Sequence, residues 1–184
     1  SDRIMVTAMV GVAANGIYAI SYKVPSLVQT VTGIFNQAWS YSAIRENNSE
    51  DRDAYSSRVF SGVVAMSSIA GVGLLAVMKP FLRFYVEREY YSAWKYTPFL
   101  IVGFVFLTLG TFLSSYYTVN KDSKGFLFSG LTGAIANVIL NAMLIPILGV
   151  TGAALATCIS YTLVFVYRIF DTKKYVHLQF GQVQ

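Results

Sequence analysis

The chain has 184 residues, 55% of them hydrophobic and only 12% charged, with a mean hydropathy of +0.53. A soluble domain carries about a quarter charged residues, so this is a membrane composition. The net charge of +5 sits at the ends of apolar segments and not along one face, which argues against a nucleic-acid surface, and the lone cysteine, Cys158, excludes an internal disulfide and reads as packing.

Apolar runs and their punctuation predict an all-α polytopic transmembrane bundle forming one lobe over 1–184. Six helices are expected, over about 1–13, 14–44, 56–85, 92–119, 124–147 and 150–176. The first, after Asp2-Arg3, is too short to span alone and reads as the end of a helix begun upstream. On that reading Asp2 and Arg3 are intramembrane charges; in a chain that starts at Ser1 they are interfacial. SDRIMV has neither the basic region nor the long apolar core of a signal peptide, and the chain reads as a fragment of something longer. Gly11 to Gly16 supplies an uncharged turn.

The second helix, Gly16 to Arg45, is the most informative. On a helical wheel Tyr22, Lys23, Ser26, Gln29, Thr30, Gly33, Asn36, Gln37 and Ser40 fall on one side. Val24, Leu27, Val28, Val31, Ile34, Phe35, Ala38 and Trp39 fall on the other. In lipid such a polar stripe must turn toward other helices or a water-filled cavity, because hydrocarbon cannot hydrogen-bond it. Lys23 lies roughly 13 Å along a helix begun near Ala14, close to the middle of a 30 Å hydrocarbon core. Two readings of it stand side by side: a cation facing a cavity, or a long stem snorkelling to headgroup water. Pro25 removes a backbone donor and is either a hinge or a tolerated membrane proline.

Arg45 to Arg58 reads as a charge-dense solvated loop. A continuous apolar run then leads from Val59 to Lys79-Pro80, and Phe81 to Glu89 continues it through the interface. Tyr90, Tyr91, Trp94 and Tyr96 form an aromatic belt beyond it. The span from Pro98 ends at the polar loop VNKDSKG. Phe126 to Leu148 carries Gly130, Gly133, Ala134, Asn137 and Asn141 along one side. Thr151 to Phe170 carries Gly152, Ala156 and Ser160 at a spacing that lets helix backbones approach. Asn137 and Asn141 suit bonds across a helix interface, worth about 0.6 kcal/mol each. His177 reads as an exposed tail residue.

Alternate loops carry unequal charge. Arg45, Arg52, Arg58, Lys121, Lys124, Arg168, Lys173 and Lys174 fall on one side; Lys79, Arg83, Arg88 and Lys95 fall on the other. The positive-inside rule puts the first group and the C-terminus in the cytoplasm. The nine acids lie in loops or at helix ends, Asp2 apart, and there is no CxxC, HExxH or glycine-rich phosphate loop. An enzyme, a cofactor and a metal site are therefore not expected. A bundle with a polar, cationic face at mid-membrane is how transporters present a binding site.

In order and spacing the residues resemble the C-terminal lobe of bacterial polysaccharide-biosynthesis flippases, exporters of lipid-linked oligosaccharides. Their superfamily also holds the multidrug extruders. The resemblance rests on Ser1-Asp2-Arg3, Gly16-Ile17-Tyr18, Tyr22-Lys23-Val24-Pro25-Ser26, and Ile34-Phe35-Asn36-Gln37-Ala38-Trp39. It continues in Ala93-Trp94-Lys95-Tyr96, Pro98-Phe99, Asn137, Asn141, Pro146, Gly152-Ala153-Ala154 and Ala156-Thr157. It implies a two-lobe, alternating-access protein of the bacterial inner membrane, of which this chain is helices seven to twelve, the first truncated. The implied partners are a lipid-linked oligosaccharide, membrane lipid, the absent N-terminal lobe and polysaccharide polymerase machinery. On this reading Lys23 holds a diphosphate, joined by Arg3, while Tyr22, Ser26, Thr30, Asn36 and Gln37 surround the sugar. The alternatives are a drug or cation antiporter, which favours a buried carboxylate, and a non-transporting scaffold lobe.

Overall fold

The structure, a computed structural model, describes residues 2–45 and 52–177. It is all-helical, with no strand among the described residues. The helices are α1 (Asp2–Met9), α2 (Val12–Ser21), α3 (Lys23–Arg45), α4 (Arg52–Tyr85), α5 (Thr97–Val119), α6 (Ser123–Leu148) and α7 (Val150–Asp171). Two 3-10 segments, Arg88–Lys95 and Thr172–Lys174, follow α4 and α7.

The expected second helix is two helices. Pro25 has no N–H to offer the Ser21 carbonyl, so α2 ends at Ser21. Regular bonding resumes where the Ser26 N–H donates to the Tyr22 carbonyl at 3.0 Å. The joint therefore lies one turn before the proline, and the proline itself is buried. Other boundaries move for local reasons. The turn expected over Gly11–Gly16 shrinks to Val10 and Gly11, whose φ of 121° favours glycine. Part of the expected solvated loop is helical, since α4 starts at Arg52 with Asp53 in its first turn, where a carboxylate suits the helix dipole. Residues 46–51 of that loop, Ser1, and 178–184 of the tail lie outside the described residues. The aromatic belt forms its own 3-10 helix before α5, which opens with Pro98 in its first turn. Gly149, at φ 58°, ends α6 and lets α7 begin at once.

α5 is the central helix and supplies a residue to every part of the core. Leu109, Phe112, Leu113 and Tyr116 pack with Trp39 and Ala43 of α3 and Phe60 and Val63 of α4. Leu100 packs with Val6, Tyr18, Ile145, Val150 and Ala153; Ile101 packs with Val24, Met78, Leu82 and Ala93. α7 lies against both α5 and α6. Trp39 stacks on Phe112 at 4.6 Å, and its indole N–H donates to Ser115 Oγ at 2.8 Å, which fixes α3 to α5.

The outer faces are apolar. Ile69, Val72 and Phe84 on α4, and Phe126, Ile135 and Ile147 on α6, are exposed. Among the described residues four helices, α4 to α7, are long and apolar enough to cross a bilayer, and such exposed faces suit contact with lipid. An all-helical membrane protein is what these features indicate.

Candidate functional site

Two polar cavities open inside the helical array, and a network around Asp2 borders the larger one. The Asp2 carboxylate accepts hydrogen bonds from α6, from α7 and from the joint between α2 and α3. Thr157 Oγ1 donates to Oδ2 at 2.7 Å and the Tyr22 hydroxyl does so at 3.1 Å. Asn141 Nδ2 donates to Oδ1 at 3.1 Å. The Tyr18 hydroxyl lies 3.4 Å from Oδ2 and 3.3 Å from Thr157 Oγ1; with one proton it serves one of the two. Two of the contributors have a neighbour one turn away: Tyr22, at the joint after α2, follows Tyr18 of α2, and Asn141 follows Asn137 on α6. Asn141 Nδ2 also donates to Asn137 Oδ1 at 3.0 Å, while Asn141 Oδ1 is buried without a partner among the described residues.

α1 runs parallel to α6 and antiparallel to α7 along this seam. Asp2 meets Asn141 and Thr157, and Val6, one turn on, packs with Ile145 and with Ala153 and Ala154. Thr157 lies roughly 10 Å along α7 from its start, so the carboxylate is set inside the apolar part of the helix.

The larger cavity, of about 550 Å³, continues the seam beyond Asp2. α6 lines it with Gly130, Gly133, Ala134 and Asn137, α7 with Ser160, Tyr161, Val164 and Arg168, and Arg3, Tyr22 and Leu107 complete it. Small residues hold α6 and α7 close: a Cβ on Gly133 would fall 2.3 Å from Val164 Cγ2, and one on Gly152 would fall 2.3 Å from the Leu144 carbonyl oxygen. Ala156 and Ser160 are buried on the same helix, and Ser160 Oγ donates to the Ala156 carbonyl at 2.6 Å.

The smaller cavity, of about 280 Å³, lies between α3 and α5. Gln29, Thr32, Gly33, Asn36, Gln37 and Ser40 face Leu107, Thr108 and Thr111 across it. Asn36 Oδ1 is buried without a partner among the described residues. Thr32 and Thr108 hydroxyls lie 3.3 Å apart at its wall. Leu107 lines both cavities.

The residues expected to bind substrate are thus divided. Arg3 and Tyr22 line the larger cavity, with Arg3 Nε donating to Asn15 Oδ1 at 3.2 Å. Asn36 and Gln37 line the smaller one. Ser26 and Thr30 line neither; their hydroxyls turn back to the Lys23 and Ser26 carbonyls, at 2.8 and 3.1 Å. Lys23 also lines neither. It is exposed, and its ammonium lies 5.5 Å from the ring centre of Tyr85, the last residue of α4. The ammonium therefore reaches a helix end and not mid-bundle, because the break at Tyr22 resets the helix and the long stem runs outward.

Sequence reasoning missed Tyr18, Thr32, Thr157 and Arg168 as site residues. Arg168, counted above as a loop cation, is a buried residue within α7. Its apolar neighbours, FVYRIF, are the signal that could have found it. Among the described residues no group of three or more His, Cys, Asp or Glu side chains is placed to share a metal ion. No protein-family model, curated protein or solved structure matches the chain.

Proposed function

We propose that the chain is one lobe of an alternating-access exporter that carries a polyprenyl-pyrophosphate-linked oligosaccharide across the bacterial inner membrane. The observation that supports this best is the pair of cavities lined by amides, hydroxyls and guanidinium groups, within helices whose outer faces are apolar. Hydroxyl-rich saccharide can exchange water for Asn36, Gln37 and Gln29, while a lipid tail stays in hydrocarbon. Expression of the whole protein in a flippase-deficient strain tests the reading. Asn36→Leu with Gln37→Leu should abolish glycan export at unchanged membrane abundance, and normal export by that variant would refute it.

A second reading, a cation-coupled drug antiporter, is favoured by the Asp2 carboxylate, which lies among the helices as a cation-coupled carrier requires. Proteoliposomes holding the whole protein separate the two. Uptake of labelled lipid-linked sugar supports the exporter; uptake of labelled drug, lost in Asp2→Asn, supports the antiporter.

A further inference from the structure

The larger cavity ends on the buried guanidinium of Arg168. Arg168 is only 8% exposed. Its Nε donates to Ser129 Oγ at 3.1 Å and its Nη1 to the Gly110 carbonyl at 2.7 Å, with the Phe126 ring centre 5.7 Å away. Both acceptors are neutral. Among the described residues the guanidinium forms no ion pair. A guanidinium has five N–H donors in a rigid fork, so several remain for a ligand. Burying such a cation without an anion is unfavourable, and two neutral acceptors offset only part of the lost hydration.

Asp2 is not the missing counter-charge. It is anchored to Thr157, and Arg168 stands three turns further along α7, a helix rise of roughly 16 Å between the two backbone positions. The cavity therefore has an acidic end, already saturated by hydroxyl and amide donors, and a basic end with donors to spare. Room exists at the basic end, because a Cβ built on Gly130 meets no atom within 4 Å.

We propose that Arg168 is the oxyanion-holding residue of this cavity, binding the phosphate oxygens of a lipid-anchored phosphate ester through its unused N–H groups. Charge-assisted, bidentate bonds of this kind are those a guanidinium makes best. That the ester is the diphosphate of a lipid-linked glycan rests on the exporter reading; the oxyanion chemistry does not. The other source of the same chemistry is a resident anionic phospholipid.

The purified full-length protein in detergent tests this, with binding of farnesyl diphosphate, farnesol, inorganic diphosphate and phosphatidylglycerol followed by native mass spectrometry. Farnesyl diphosphate should bind the parent protein while farnesol does not, and Arg168→Gln should weaken that binding at least tenfold. Arg168→Lys should retain part of it. Gly130→Phe, which fills the basic end and leaves the guanidinium in place, should also abolish binding, and it decides the matter if Arg168→Gln fails to fold. Preference for farnesyl diphosphate over phosphatidylglycerol supports the glycan-lipid source, and the reverse supports the phospholipid. Equal binding of farnesyl diphosphate and farnesol, or undiminished binding in both the Arg168→Gln and Gly130→Phe variants, overturns the proposal. Diphosphate binding without glycan transport would leave the site standing and remove the exporter reading; glycan transport untouched by Arg168→Gln, with binding weakened, would keep both the site and the exporter reading and assign the site to the phospholipid.

Discussion

Thr157, Tyr22 and Asn141 each aim a donor at the Asp2 carboxylate, and an amide cannot accept them all. In Asp2→Asn, one rotamer sets an NH₂ against Thr157 and Tyr22 and the other sets it against Asn141. The variant should lose about 1–3 kcal/mol of stability, seen as a lower unfolding temperature in detergent. Trp39→Phe makes a milder contrast. It keeps the stack on Phe112 and loses only the bond to Ser115, so it should cost about 0.6 kcal/mol in the same measurement. At this scale the sequence was half legible. The one-turn pair Asn137–Asn141 could be read directly, because helical spacing alone puts it on one face. Its meeting with Asp2 could not, because it depends on where α1 docks between α6 and α7. Arg168 was misread for a related reason: a cation near a helix end looks solvated until the packing of α5 and α6 around it is known.

Single elements respond to different levers. The first turn of α6 is capped by Asp122, which accepts from the Gly125 N–H at 2.9 Å, from the Tyr175 hydroxyl at 2.6 Å, and pairs with Lys174 at 3.2 Å. The Tyr175 bond chiefly, with the Gly125 amide and Lys174, holds the Asp122 carboxyl down to about 2. A carboxyl depressed in the folded state stabilises it above the ordinary carboxylate range and ceases to do so as pH falls through the folded value. Thermal unfolding should therefore show stability falling between about pH 4 and pH 2. Asp122→Asn should flatten that part of the curve. The turn between α6 and α7 is less forgiving. Gly152→Ala drives a methyl group into the Leu144 backbone and should cost about 1–3 kcal/mol; Gly133→Ala meets only a valine side chain and should cost less. The proline was legible as a hinge or a tolerated residue but not as a helix break, and the break falls one turn earlier because the lost donor frees the carbonyl four residues before it. Pro25→Ala supplies the missing donor and should raise helical content by circular dichroism.

For the molecule as a whole, composition and apolar run length were enough to announce an all-helical membrane bundle, because hydrocarbon leaves the backbone few other choices. The helix number was not, since one proline divides a run that hydropathy alone joins. Removing Arg168 from the loops narrows the charge difference between the two sides without reversing it. Reporter fusions after Lys121 and after Tyr175 should both show cytoplasmic activity, and one after Glu87 should not. The Leu107 side chain has a larger consequence than its size implies, because both chambers rest on it. A wall shared by both chambers can be closed to a solute and still yield with a small rotation of α5. Trimming it, as in Leu107→Ala, should turn the valve into a leak: proteoliposomes would let small polar solutes escape with no gradient imposed, while the lobe stayed folded.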